Sequence, residues 1–195
     1  EDQVSHLGTN QLGACTTQQL GALLTNQIVS LTTLQLQALS GDQIEALNGG
    51  QLAALTPAQL AAFSTSQIIR VQTGGISSLT TTQIAALSGT QLAALTVDQI
   101  GNLTGTQIAS LTTTQVPLLS TTQVAALSGP QWSALTTSQI AALSSDQLLV
   151  VDTMDLVLLG TEQIAALTTV QLGVLTTDQV SALTSPQLAA LTTSQ

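Results

Sequence analysis

The 195-residue chain is poor in basic, aromatic and charged residues. It has one Lys or Arg against ten Asp or Glu, no Tyr, and only 6% charged residues. Because nucleic acids and anionic membranes are bound through Lys and Arg, the single Arg70 argues against both kinds of partner. No apolar run approaches the roughly 18 residues of a spanning helix, so we expect no membrane insertion. The 44% of hydrophobic residues nevertheless argues against a disordered chain.

Residues that could carry out chemistry are also scarce. Cys15 is the only cysteine, which excludes an internal disulfide, and its position holds Leu in most repeats, so we interpret it as a small buried apolar residue. His6 is interpreted as a residue of the last turn of a helix. The densest acidic stretch lacks the Asp and Gly spacing of a calcium loop and is assigned to helix N-termini. We therefore expect no catalytic, cofactor-binding or metal-binding residues and no enzymatic activity. The four residues of that acidic stretch are Asp146, Asp152, Asp155 and Glu162.

The chain is built from an eight-residue repeat. Gln occupies position 3 and every eighth position as far as Gln195, except at Gly75 and Asp155. The consensus octad is L-[ST]-x-x-Q-[ILV]-A-A, and no insertion or deletion interrupts its register. We therefore predict that residues 1–195 form a single octapeptide-repeat array, as a segment of a longer repeat protein or filament.

The octad predicts one short, capped α-helix per repeat. Thr or Ser followed three places later by Gln is the capping-box pattern, in which each side chain accepts a hydrogen bond from the backbone N–H of the other residue. In the octad that begins at Leu79, Thr80 would cap the helix and Gln83 would close the box. Helices this short are marginal alone. The predicted fold is therefore an all-α solenoid, a superhelix in which these helices share a continuous Leu and Ile core.

A β-solenoid is the alternative fold. It is less favoured because the apolar positions are separated by alternating intervals of five and three residues, as between Leu7, Leu12 and Cys15. Odd intervals place residues on opposite faces of a strand, so a strand would need a bend in each interval. A superhelix would need three or four octads to enclose its axis.

The ends of the predicted helices need donors for their last carbonyl groups. No Gly recurs where a left-handed residue would terminate the helix. We predict that the amide NH₂ of the Gln donates to a carbonyl of a neighbouring coil. The segment 71–75 has lost both its cap and its Gln, so we predict a kink or soft point there.

Some octads carry larger apolar residues where most have Ala or Ser. The most hydrophobic stretch of this kind runs from Leu148 to Leu159. These residues either repack the core locally, as we interpret Phe63 and Trp132, or form an exposed patch for lateral contact with another copy or another chain. We call this candidate surface the apolar patch, and its residues are Pro117, Leu118, Leu149, Val150, Val157 and Leu158.

The octads, such as the one from Leu79 to Ala86, resemble tracts of very large bacterial secreted and surface proteins over essentially the whole chain. The resemblance implies an extracellular or cell-surface, adhesin-like stalk or spacer. It also implies a self-assembling filament whose partners are neighbouring repeats or other copies. The alternative is a binding module in which Thr pairs such as Thr112–Thr113 line one face and bind ice, carbohydrate or mineral surfaces.

Overall fold

The computed structural model describes residues 3–195, which divide into two compact units. The first unit ends at Asn102, and the second runs from Leu103 to Gln195. Within the described residues every regular element is a helix of three to six residues, and there is no strand. The predicted all-α fold with one short helix per octad is confirmed, and the β-solenoid is excluded. The predicted continuity of one array over residues 1–195 stays a prediction.

The described part of the first unit contains one 3-10 helix and twelve α-helices. Their bounds are η1 (Gln3–His6), α1 (Thr9–Gly13), α2 (Thr17–Gly21), α3 (Thr25–Val29), α4 (Thr33–Gln37), α5 (Gly41–Glu45), α6 (Gly49–Ala54), α7 (Pro57–Ala61), α8 (Thr65–Ile68), α9 (Thr73–Ser78), α10 (Thr81–Ala85), α11 (Gly89–Ala94) and α12 (Val97–Gly101).

The second unit contains ten α-helices and one 3-10 helix. Their bounds are α13 (Gly105–Ser110), η2 (Val116–Leu118), α14 (Thr121–Ala125), α15 (Gly129–Ala134), α16 (Thr137–Ala142), α17 (Ser145–Leu149), α18 (Thr153–Leu158), α19 (Thr161–Ala165), α20 (Thr169–Val174), α21 (Thr177–Ala182) and α22 (Ser185–Ala189). The 3-10 helix η2 contains Pro117, which has no N–H to donate within an α-helix.

Most of the described α-helices begin at capping boxes, as predicted, and α9 and α18 are exceptions. At α16 the Gln139 N–H donates to Thr136 Oγ1 over 3.2 Å, and the Thr136 N–H donates to Gln139 Oε1 over 2.8 Å. The Gln half of the box persists where the side chain of the cap has no acceptor atom, because the acceptor in this half is the Gln side chain. The caps of this kind are Gly8, Leu24 and Gly160.

The helices end without a left-handed residue. No described residue has a positive φ angle. At the end of α16, Leu143 is extended at φ −61° and ψ 140°, and the cap of the next helix, Ser144, is extended as well. Two extended residues therefore turn the chain from one helix to the next, and the octad needs no Gly for this bend.

The residue after each Gln and the Leu three places later form the core of each unit. In α16 these are Ile140 and Leu143, and both are buried. Trp132 and Phe63 occupy the same two positions and are buried, so their assignment to the core is confirmed. Cys15 is only half-buried, so the prediction of a buried residue was wrong. The carbonyl of Cys15 accepts a hydrogen bond from Gln43 Nε2 over 2.8 Å.

Within each unit the helices coil so that each packs against the helix three octads away. In the first unit α6 packs between α3 and α9, and in the second α18 packs between α15 and α21. The hydrogen bonds from Gln139 to the carbonyls of Ile108 and Leu111 reach the fourth octad. One turn of each coil therefore takes between three and four octads, in line with the expected number.

The first residue of a helix faces the residue 29 positions later on the next coil. A Cβ built on Gly129 would overlap Leu158 Cδ1, and a Cβ on Gly41 would lie 3.1 Å from Arg70 Cγ. Gly at the first position thus makes room for a larger side chain on the neighbouring coil.

The segment 71–75 is regular, so the predicted kink was wrong. Gln72 is extended like the other caps, and Ile76 donates to its carbonyl as the first bond of α9. A Cβ on Gly75 would lie 2.6 Å from Leu52 Cδ1. The Leu52 side chain thus occupies the space that a side chain at this position would need, and the backbone keeps its path.

Candidate functional site

A buried Gln side chain connects each coil to the preceding one. Gln139 is 1% exposed, and its Nε2 donates to the carbonyls of Ile108 and Leu111 over 2.8 and 2.7 Å. Its Oε1 accepts from the Thr136 N–H. One neutral amide therefore starts its own helix and supplies donors to the end of a helix four octads earlier. The prediction that the Gln amide bonds to a neighbouring coil is confirmed.

The same hydrogen bond recurs through both units, and we call the series the glutamine ladder. In the first unit Nε2 lies 2.6 to 2.9 Å from the carbonyl 28 residues earlier, and the donors are Gln35, Gln43, Gln51, Gln59, Gln67, Gln83, Gln91 and Gln99. In the second unit the donors with this bond within the unit are Gln131, Gln139, Gln147, Gln163, Gln171, Gln179, Gln187 and Gln195.

The ladder satisfies the buried polar groups of the core. Every buried side-chain N or O atom of the described residues has a hydrogen-bond partner. Gln11 and Gln19, by contrast, are exposed, and their Oε1 atoms only accept from Gly8 and Thr16. A buried amide needs partners for both its O and its NH₂, and the coil geometry provides them from Gln35 onward.

Asp155 replaces a ladder Gln in the second unit. Its N–H donates to the Asp152 carbonyl over 3.1 Å, and its Oδ1 lies 3.4 Å from a Cβ built on Gly129. Burial raises the pKa of the Asp155 carboxyl, and the charge of Asp152 raises it further. An ionised carboxylate can only accept, so Asp155 cannot supply a donor to the carbonyls of the earlier coil.

The apolar patch is exposed and does not repack the core. All six of its residues are on the surface of the second unit: Pro117, Leu118, Leu149, Val150, Val157 and Leu158. The core residues of these octads, such as Leu148 and Leu156, remain buried beside them. The sequence alternative of local core repacking was therefore wrong. The use of the patch as a contact surface stays a prediction.

The ladder places Pro117 and Leu118 beside the start of α17. Gln147 at the start of α17 donates to the carbonyls of Val116 and Leu119 over 2.9 and 2.7 Å. Pro117 and Leu118 lie between those two acceptors, so they adjoin the beginning of α17. Leu149 and Val150 lie at the end of α17, and α18 follows directly.

The charged residues serve helix ends and one surface ion pair. Asp152 caps α18, where its Oδ1 accepts from the Met154 N–H over 2.8 Å, as assigned from the sequence. Arg70 contacts Asp42 over 2.8 Å and also Glu45. His6 lies in the last turn of η1 as predicted. Within residues 3–195 no group of three His, Cys, Asp or Glu is placed to hold a metal ion.

The cap hydroxyls are occupied by hydrogen bonds within their own octads. Thr112 Oγ1 accepts from the Gln115 N–H over 3.2 Å and lies 2.9 Å from Thr114 Oγ1. Of the pair Thr112–Thr113, the first hydroxyl is therefore engaged.

Among the helices of residues 3–195, none combines the length and apolar character needed to cross a membrane.

These features define a tandem-repeat protein built from short, capped helices. Residues 25–57, 71–105 and 150–185 match the ALTTAQ repeat, and these stretches together make up just over half of the chain. The chain belongs to the ALTTAQ repeat family. The comparison with curated proteins finds no match.

Proposed function

We propose that the chain is a structural repeat protein that forms a rigid extracellular or cell-surface rod. In this role it is a stalk or spacer of an adhesin-like protein, and it associates through neighbouring repeats or other copies into filaments. The observation that carries the proposal is the glutamine ladder. Each Gln of the ladder, as at Gln139, closes its own cap and binds the coil 28 to 31 residues earlier.

The ladder supports rigidity because bending a coil would separate buried donors from buried acceptors. An unpaired buried polar group costs about 1–3 kcal/mol, and the bond recurs at every Gln of the ladder. It also supports a variable length, since each added octad repeats the same contacts with its neighbours. A spacer needs both properties. No enzymatic role is proposed.

The extracellular location and the adhesin-like context rest on the resemblance of the octads to tracts of large bacterial secreted and surface proteins. An antibody raised against the chain should label intact cells of the organism that produces it. Labelling only after the cells are permeabilised would contradict this location.

The rod is tested by lengthening it. A variant that duplicates residues 32–63 adds four whole octads, so the register of the ladder is kept. We expect small-angle X-ray scattering to show a longer maximum dimension at unchanged cross-section. A variant with only residues 32–35 duplicated breaks the register and is the control. An increase in cross-section without an increase in length would rule out the rod.

Self-assembly is tested separately by negative-stain microscopy at rising protein concentration. We expect filaments whose length grows with concentration. Short particles of one length at every concentration would overturn the filament while leaving the rod intact.

The Thr-face binding module is the weaker candidate. The cap hydroxyls, such as that of Thr112, are engaged within the octad, which leaves a single free hydroxyl in pairs such as Thr112–Thr113. A measurement of thermal hysteresis tests the ice-binding form of this alternative, and freezing at the ordinary melting point would remove it.

A further inference from the structure

We propose that the apolar patch, together with Met154, docks a basic amphipathic segment of a partner protein. Five large apolar side chains, each between 37% and 75% exposed, lie within ten consecutive residues of α17, α18 and the bend between them. They are Leu149, Val150, Met154, Val157 and Leu158. At the positions of the four other than Met154, most octads have Ala or Ser, as at Ala141 and Ala142, so the fold does not require the larger side chains.

The exposed side chains follow one another along two consecutive helices. Leu149 and Val150 end α17, Met154 follows in the first turn of α18, and Val157 and Leu158 end that helix. Helix α17 also begins against the carbonyls that flank Pro117 and Leu118, through Gln147. A concentration of exposed apolar area of this kind is typical of a contact surface.

The charge around the patch identifies the chemistry of the occupant. Residues 103–195 contain five acidic residues and no Lys, Arg or His. Four of the five lie within or beside the patch, at Asp146, Asp152, Asp155 and Glu162, and the fifth, Asp178, is on α21, which packs against α18. An apolar surface surrounded by uncompensated carboxylates matches a segment with apolar side chains on one face and Lys or Arg beside them.

A second copy of the chain is a poor occupant of the same surface. The chain has a formal net charge of −9, and two patches brought together would place two sets of carboxylates in proximity. The only Arg, Arg70, is already held by Asp42 and Glu45. Residues 1–195 therefore supply no further Lys or Arg for this surface, and we assign the basic groups to a partner protein. This binding function is independent of the proposed rod.

The test uses the full chain and a synthetic 18-residue peptide of Leu and Lys in amphipathic helical order, labelled with a fluorophore. We expect a saturable rise in fluorescence anisotropy that weakens as salt is added. Two further peptides serve as controls: one with Glu in place of Lys, and one with Ser in place of Leu. Binding of either control peptide as tight as that of the Leu–Lys peptide would overturn the proposal.

A patch variant with Leu149→Ala, Val157→Ala and Leu158→Ala places common octad residues at three positions, and circular dichroism verifies its fold. We expect it to bind about tenfold or more weakly, because three apolar contacts are lost. Val97→Thr with Asp98→Ser is the matched control, since α12 also exposes a Val beside an Asp. Equal weakening in the control would overturn the assignment to the patch. Dimerisation of the parent chain that the patch substitutions abolish would assign the surface to a second copy and would equally overturn the proposal.

Discussion

Gln139 Nε2 lies 2.7 Å from the carbonyl oxygen of Leu111, 28 residues earlier, while Gln139 Oε1 accepts from the Thr136 N–H. The two ends of one amide thus stabilise two different structures, the start of a helix and the contact between coils. Because an amide both donates and accepts, Gln is suited to this position where Glu is not.

Gln139→Glu should destabilise the protein by on the order of 3 kcal/mol at neutral pH. The carboxylate keeps the acceptor for the cap but turns two donated hydrogen bonds into contacts between oxygens. Urea unfolding followed by circular dichroism measures the change. Gln19→Glu is the matched control, because Gln19 is exposed and should tolerate the substitution. Equal losses at the two positions would mean that the ladder bond does not stabilise the fold.

Asp155→Gln should stabilise the protein by about 1–2 kcal/mol at neutral pH, since it restores a ladder donor. Burial raises the pKa of Asp155 above its ordinary value of 3.8, so the folded state binds the proton more tightly than the unfolded state does. The stability that this group contributes is therefore present below pH 3.8 and is lost as the pH rises through the raised pKa.

The pH dependence of the stability gain separates the effect of the restored ladder donor from the effect of removing the carboxyl group. The gain from Asp155→Gln, obtained from urea midpoints, should increase from acidic to neutral pH and then level off. Asp155→Asn is the control, because it removes the charge with a side chain as short as that of Asp. A gain that is the same at every pH would contradict the raised pKa.

Gly129→Thr should destabilise the protein by about 1 kcal/mol, because the new side chain overlaps the end of the exposed Leu158 side chain, which must take a less favourable rotamer. Combining it with Leu158→Ala creates the pair of Thr and Ala that other octads have 29 residues apart, as at Thr137 and Ala166. The double variant should recover most of the loss, which a double-mutant cycle measures. A double variant as unstable as Gly129→Thr alone would show that the two coils do not constrain each other here.

Thr136→Val should lower the stability by about 1 kcal/mol, since the Gln139 N–H loses its acceptor at the helix start. Thr137→Val is the control one residue away, where the side chain is exposed at the first helical position. Thermal unfolding of both variants gives the comparison. Capping would be unimportant if the two melting temperatures fell by the same amount.

The capped helices were predictable because they depend on residues within one octad. Thr80 and Gln83 are three positions apart, and the hydrogen bonds between them need only local backbone geometry. The placement of acidic residues at helix starts, such as Asp152, follows from the same local effects. The bond from Gln to another coil could be predicted in kind, because the missing Gly stop left carbonyls without donors.

The register of that bond was not predictable from one octad. It depends on how far each bend rotates the chain, which sets whether the third or the fourth octad meets the Gln. A sequence signal for the packing does exist, since Gly41 and Gly129 stand 29 residues before the large side chains of Arg70 and Leu158. That spacing is recognisable only once the length of the coil is known.

The apolar patch was likewise predictable only in part. Larger residues at positions such as Leu149 and Val157 can be found from the repeat, but periodicity does not say whether that side of the octad faces the core or the solvent. Side-chain identity and local hydrogen bonding specify where each helix begins, and they act over a few residues. The partner of each coil, the burial of Cys15 and the exposure of the apolar patch depend on contacts 24 to 31 residues apart, which exist only after the helices have coiled together.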